Sequence, residues 1–196
     1  MLYLITPLAA YLLGSVSSAI LISRLLGLPD PRTEGSRNPG ATNVLRLGSK
    51  SGAVLTLAGD IAKGVLPVVA ARWILDEPVL LTLAALGAFL GHLFPVYFRF
   101  EGGKGVATAL GVLAAIDWQL ASILIATWLV VAAVFRYSSL AALVTAAAAP
   151  VYLFWLTGEP VFVGLGVVLA ALLFFRHSEN IRRLLCGNES KIGKKN

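Results

Sequence analysis

At 196 residues, 58% of them hydrophobic and 13% charged, the chain carries apolar runs too long for the core of an ordinary soluble domain. A formal net charge of +6 would point to nucleic acid in a soluble protein; here the lysines and arginines stand at the ends of apolar runs, where membrane topology accounts for them, and no nucleic-acid partner is expected. The single cysteine, Cys186, excludes an internal disulfide, a redox pair and a thiolate zinc cluster.

Residues 2–22 form the first apolar run. No basic segment precedes it and it outlasts a signal-peptide core, so it is expected to stay as a membrane span. The loop that follows contains a polar island, residues 34–46, reading EGSRNPGATNVLR. Its residue types suit an anion. Ser36, Thr42 and Asn43 can donate hydrogen bonds, Gly35 and Gly40 let backbone N–H groups approach a ligand, and Arg37 and Arg46 can fork onto phosphate oxygens. Thr42 or Asn43 is expected to cap a short helix over residues 41–47. The competing reading is a solvated turn whose arginines touch lipid head groups.

The second run, residues 53–75, holds the one charged pair inside a span, Asp60 and Lys63, three apart on one helix face. A mutually neutralised pair is the main reading, and holding the 34–46 loop or reaching a substrate is the lesser one. The third run, residues 79–98, leads into Gly102-Gly103-Lys104-Gly105-Val106-Ala107-Thr108. This is not a Walker A loop, which would need Gly where Phe98 stands and a following Ser or Thr. Even so, three glycines around one lysine, at the start of the short fourth run over residues 105–116, combine exposed N–H groups, a favourable helix dipole and a point charge, as a phosphate requires.

The fifth and sixth runs, residues 118–135 and 139–156, are joined by Arg136-Tyr137-Ser138-Ser139, read as a snorkelling arginine and helix-capping serines. The seventh, residues 161–175, ends in His177-Ser178-Glu179-Asn180. His177 and Asn180 are expected to share a helix face, and a histidine titrates in the range a general base needs. Glu189 reads as structural, paired with a nearby Arg or Lys.

The expected fold is therefore an all-α integral membrane bundle of seven transmembrane helices, some of them short, forming one domain over residues 1–196. With the N-terminus outside and the C-terminus cytoplasmic, Arg24, Arg32, Arg37, Arg46, Lys50, Arg99, Lys104, Arg136, Arg176, Arg182, Arg183, Lys191, Lys194 and Lys195 fall inside. Only Arg72 falls outside, beside Asp76 and Glu77. Loss of the fourth crossing would put Arg136 and the basic tail on the wrong side. The outer connections are minimal, so the inner ones carry the polar information.

Taken together, three ordered motifs resemble a family. They are G-S-x-N-x-G-A-T-N-x-x-R (Gly35 to Arg46), G-H-x-F-P followed by G-G-K-G-x-A-T (Gly91, His92, Phe94 and Pro95, then Gly102 to Thr108), and H-x-x-N-I-x-R-L-x-x-G-x-E (His177 to Glu189). In order and over essentially the whole chain, this pattern is similar to the bacterial acyl-phosphate:glycerol-3-phosphate acyltransferases of the PlsY type. The resemblance implies transfer of a fatty acyl group from acyl phosphate to the 1-hydroxyl of sn-glycerol 3-phosphate, giving lysophosphatidic acid and phosphate, the first step of phospholipid synthesis. It implies a multi-pass protein of the bacterial cytoplasmic (inner) membrane with its active site facing the cytoplasm, needing no cofactor. Acyl phosphate, glycerol 3-phosphate and membrane lipids are the implied partners, with an acyl-phosphate-producing enzyme as the protein partner to consider.

Matched to those motifs, Ser36, Arg46, Lys104, His177 and Asn180 are the expected catalytic residues. Asn38, Gly40, Ala41, Thr42, Asn43, Gly102, Gly103, Gly105 and Thr108 join them in binding substrate. Phosphate is already a competent leaving group, so direct attack by the glycerol hydroxyl needs charge stabilisation and positioning more than a strong base. Lys104 and the Gly102 to Gly105 backbone, with Thr42 and Asn43, are expected at the leaving phosphate. Ser36, Arg46, His177 and Asn180 are expected around glycerol phosphate, and either His177 or a substrate phosphate oxygen takes the proton. The H-x-x-x-x-D signature of acyl-CoA-dependent acyltransferases is absent, since Tyr97 follows His92 by five residues and Arg182 follows His177 by five. No metal-ligand spacing occurs, and metal-independent chemistry is expected. The rival reading, a transporter or flippase for a phosphorylated metabolite, would place polar groups through the bilayer midplane. A lipid-binding scaffold would need the charge but not the Gly, Asn and His placements.

Overall fold

The computed structural model describes residues 1–193. Lys194 and Lys195, assigned above to the cytoplasmic side, lie outside the described residues. The helices are α1 (Leu2–Gly14), α2 (Ser18–Leu25), α3 (Ala41–Arg46), α4 (Lys50–Ile74), α5 (Pro78–Leu93), α6 (Val106–Ile116), α7 (Trp118–Phe135), α8 (Ser138–Thr157), α9 (Pro160–Arg176) and α10 (Ser178–Leu185), with a 3₁₀ turn at Val96–Phe98 after α5. Every apolar run is helical, and the sequence-local signals that start the helices are visible. Ser49, Glu77 and Asp117 each accept a hydrogen bond from the backbone N–H three residues on, and Pro78 and Pro160 open α5 and α9.

The fold is that of an all-helical integral membrane protein with five to six apolar helices of crossing length. Leu2–Leu25, Lys50–Ile74, Pro78–Phe98, Trp118–Phe135 and Ser138–Thr157 are long and apolar enough to span a bilayer, and α9 with α10, bent by 64°, makes a sixth. The fourth run does not reach that length. At 1.5 Å per residue α6 covers about 16 Å of the roughly 30 Å hydrocarbon layer. Large apolar side chains such as Leu4, Val54, Trp73, Val134, Trp155 and Phe175 stay exposed, as lipid-facing positions do.

The first run is not one helix. It breaks at Ser15–Ser17, where Gly14 and serines replace bulky helix formers, and the chain restarts at Ser18. The break frees a backbone carbonyl in an apolar setting, and Lys63 supplies the donor: its Nζ lies 2.9 Å from the Val16 oxygen.

The chain forms two compact units, Met1–Ile116 and a second beginning at Asp117. In the first, α5 is central, with Leu80, Leu81, Ala84, Ala85, Ala88 and Phe89 buried and both α1 and α4 packed on it. In lipid no hydrophobic force drives helices together, so attraction depends on close backbone packing by small residues. Gly14 lies on the Ala88 backbone, Gly87 on Pro7 and Gly91 on Tyr11. α4 meets α6 the same way, a Cβ on Gly64 falling 2.6 Å from the Thr108 carbonyl and one on Gly111 overlapping that of Ile61. Arg72 ties the far ends, pairing with Asp76 at 3.2 Å and bonding the Ile116 carbonyl at 3.1 Å.

In the second unit α8 packs on α7 and α9. Arg136 is not simply a snorkelling side chain. It closes α7 in the left-handed conformation (φ 62°), accepts the Ile192 N–H at 2.7 Å and donates from Nη2 to the Ile192 carbonyl at 3.0 Å. Nor do the serines cap α8, whose N-cap is Tyr137, and Ser139 instead donates to Glu189.

Candidate active site

The first polar island folds around Asn43. Its side chain is 1% exposed; Nδ2 donates to the Pro31 carbonyl at 2.8 Å and the Glu34 carbonyl at 3.0 Å, while Oδ1 accepts the Ser36 N–H at 2.8 Å. Gly35, at φ 63°, sits where any Cβ would strike Asn43 Oδ1, so glycine is required there both for conformation and for space. The expectation that Thr42 or Asn43 caps the short helix is corrected. Gly40 occupies the N-cap of α3 without a side-chain bond, and the Asn43 amide is spent on the loop. What this leaves at the surface is Ser36, Arg37, Thr42 and Arg46, all exposed, with Arg37 held at φ 54°. Asn43→Asp should loosen the loop by about 2–3 kcal/mol, because a carboxylate cannot donate to two buried carbonyls. Faster tryptic cleavage after Arg37 in detergent would show it.

Two contacts bring the second island against the first. Arg32 forks onto Asp30, at 2.7 and 3.1 Å, and reaches Glu101 at 3.4 Å, next to Gly102. The hydrogen bond from Arg32 keeps the Asp30 carboxyl below its usual range. One residue further on, a Cβ on Gly103 would lie 3.0 Å from the Pro39 carbonyl oxygen, in the middle of the first motif. Gly102 and Gly103 lie flat on the end of α5. The Gly103 N–H donates to the His92 carbonyl at 3.2 Å, and Gly102 has no room for a Cβ against the carbonyls of His92 and Leu93. Gly105, at φ 88°, is similarly confined by Phe89 and Leu93. Lys104, half-buried, projects from this backbone just before α6 begins. Thr108 is buried, and its hydroxyl bonds the Asp60 carbonyl at 3.1 Å, so it joins α6 to α4. Asn38, Gly40 and Ala41 are half-buried along the first island.

An open cleft of about 660 Å³ lies beside the Arg32–Glu101 pair, lined also by Arg24, Tyr97 and Arg99 among others, and none of the expected site residues lines it. Among the described residues no group of three His, Cys, Asp or Glu side chains could hold a metal ion.

In the second unit His177 is the corner between α9 and α10, and both His177 and Asn180 are buried, at 3% and 5% exposed. His177 Nδ1 is 2.8 Å from the Leu173 carbonyl. A carbonyl only accepts, so Nδ1 carries hydrogen and in the neutral ring Nε2 has the lone pair. Asn180 is oriented by Glu189, whose Oε1 takes Asn180 Nδ2 and Ser139 Oγ, each at 2.7 Å, while Oε2 takes Arg183 Nε at 2.7 Å. The structural reading of Glu189 holds, and its cationic partner is Arg183. Burial opposes the Glu189 charge, yet the bonds from Arg183, Ser139 and Asn180 outweigh it and lower its pKa from the ordinary 4.5.

A lowered folded-state pKa means that this stabilisation is complete above the unfolded value and disappears as pH falls through the folded one. Glu189→Gln should therefore cost about 2 kcal/mol at pH 7. It should also flatten the acid-side fall in thermal stability below pH 4.5, where the wild type weakens.

Sequence reasoning singled out the two polar islands and the His177–Asn180 corner but named His92 only as a position of the second motif and gave it no role. Its signal was available: an ionisable residue inside an apolar run, opposite another in Asp60.

The glycerol-3-phosphate acyltransferase family matches residues 4–187. Proteins named glycerol-3-phosphate acyltransferase are similar along nearly their full lengths. That of Thioalkalivibrio sulfidiphilus is 60% identical, covering 96% of this chain and 93% of its own, and that of Methylococcus capsulatus is 53% identical, covering 98% and 97%. A crystal structure of PlsY, an integral membrane glycerol 3-phosphate acyltransferase, in its glycerol 3-phosphate form superposes with a TM-score of 0.92 at 40% identity, covering 97% of this chain and 96% of that one. The same enzyme's lysophosphatidic acid form gives 0.90 at 39% identity, covering 97% and 95%. The family match takes in residues 4–187 of the 196, and the chain belongs to the glycerol-3-phosphate acyltransferase family.

Proposed function

We propose that this protein transfers a fatty acyl group from acyl phosphate to the 1-hydroxyl of sn-glycerol 3-phosphate, releasing lysophosphatidic acid and inorganic phosphate. The observation that carries the reading is the close approach of Gly103, the neighbour of Lys104, to the Pro39 carbonyl of the first island, which sets two anion-suited segments side by side. Family membership supports it, as do the glycerol 3-phosphate and lysophosphatidic acid forms of the similar enzyme.

The hydroxyl oxygen attacks the acyl carbonyl carbon, the bond from that carbon to the phosphate oxygen breaks, and phosphate departs with the electron pair. Lys104 and the backbone N–H groups beside it offset the charge that builds on the leaving phosphate. Thr42 joins them there, Ser36, Arg46, His177 and Asn180 hold glycerol phosphate and aim its hydroxyl, and Asn38, Gly40 and Ala41 bind substrate. Asn43 and Thr108 contribute by fixing the loop and α6. The hydroxyl proton passes to His177 Nε2 or to a substrate phosphate oxygen.

The chain is placed in the bacterial cytoplasmic membrane as one functional domain, with seven crossings, the N-terminus outside and the motifs facing the cytoplasm. The charge pattern supports this, and α6 then crosses where the bilayer thins or neighbouring helices cover its ends. An enzyme that makes acyl phosphate would supply the donor. Purified protein given glycerol 3-phosphate should form lysophosphatidic acid with palmitoyl phosphate and none with palmitoyl-CoA. Activity with the thioester alone would refute the donor assignment.

A further inference from the structure

Three ionisable side chains buried within the first unit are unused by the transfer proposed above: Asp60, Lys63 and His92, at 3%, 6% and 6% exposed. They form a row. Lys63 Nζ lies 2.9 Å from Asp60 Oδ1 and 2.9 Å from the Val16 carbonyl in the break between α1 and α2. Asp60 Oδ1 lies 3.6 Å from His92 Nδ1, and the Asp60 carbonyl holds Thr108 near the start of α6. On its other edge the His92 ring presses on the glycine loop, since a Cβ on Gly103 would overlap Nε2. The His92 carbonyl takes the Gly103 N–H as well, so the loop that carries Lys104 is touched by both the ring and the main chain of one residue.

An ion pair buried in this way is seldom a source of net stability, because well-packed apolar groups of the same volume often serve better. What it provides is geometry. A carboxylate fixed by Lys63 orients the ring, and the ring sets how far the Gly102–Gly103 backbone can settle toward α5 and Pro39.

We infer that His92, oriented by the Asp60–Lys63 pair, is a positioning residue for acyl transfer that sets the height of the Lys104 loop and so the fit of the donor phosphate. The inference rests on the reading of that loop as the donor-phosphate site. It does not require His92 to touch substrate.

The test is steady-state kinetics of the detergent-purified full chain, with palmitoyl phosphate and glycerol 3-phosphate varied separately, and thermal unfolding measured in parallel. His92→Ala should raise KM for palmitoyl phosphate about tenfold or more while KM for glycerol 3-phosphate stays within about twofold. His92→Gln, which keeps a polar group of similar reach, should recover most of that loss. Asp60→Asn should shift the same KM, and its effect should not add to that of His92→Ala. If His92→Ala does not fold, His92→Gln and Asp60→Asn carry the same comparison. Equal rises in both KM values, or unchanged kinetics in folded variants, would overturn the inference. Lys104→Met separates the layers. Full turnover in that folded variant sinks the loop reading and the inference with it, whereas lost turnover there beside normal His92 and Asp60 variants sinks the inference alone.

Discussion

Lys104→Met is expected to abolish acyl transfer while the bundle stays folded. Methionine keeps the length and flexibility of the side chain and removes only its charge. The backbone around it is fixed independently, by the Gly103 bond to His92 and by the packing of Gly102 and Gly105 on α5. In the proposed transfer phosphate leaves with its charge growing, so that reading makes the lysine matter most in the transition state. Removing one such stabilising group costs about 100-fold or more in kcat, on the order of 3 kcal/mol. The helical circular-dichroism signal, elution volume and thermal midpoint should match wild type. A folded variant with full turnover would refute the role given to Lys104.

Gly102→Ala should be nearly as damaging to activity, and by a different route. Its Cβ would be driven into the carbonyls of His92 and Leu93, which are backbone atoms at the end of a helix and cannot rotate aside. The loop must lift, taking Lys104 with it, at a cost of about 3 kcal/mol. Turnover and thermal midpoint should therefore fall together, unlike Lys104→Met, where only turnover falls. Gly164→Ala is the control. No neighbouring atom lies within 4 Å of its Cβ position and its φ is ordinary for α9, so activity should be unchanged and stability equal or slightly higher.

The helices were legible because apolar runs of this length have few alternatives, and charges at their ends mark where each stops. The Asp60–Lys63 pair was legible from spacing alone, since three residues along a helix fix the face that both side chains share. Glu189 was legible as an anchor, though only the fold brings Arg183, Ser139 and Asn180 to it.

What the residues concealed were partners distant along the chain. Asn43 has the composition of an anion donor, but Pro31 and Glu34 consume its amide hydrogens, and nothing at positions 42–46 indicates this. Gly102 and Gly103 read as space for a ligand and turn out also to be space for the end of α5. The broken first span hid in a run apolar enough overall to read as one helix; its traces were Gly14 and the serines after it, and a lysine in the next span able to satisfy the freed carbonyl. His92 escaped for the same reason, because its importance lies in what it touches on α4 and in the glycine loop.

The central claim is direct, single-step transfer between two phosphate-bearing substrates. Phosphate release from palmitoyl phosphate, followed in the first turnovers of purified protein with and without glycerol 3-phosphate, tests it most directly. The account predicts one phosphate per lysophosphatidic acid and no release until glycerol 3-phosphate is added. A burst of phosphate in its absence, with the acyl chain left covalently on the protein, would contradict it.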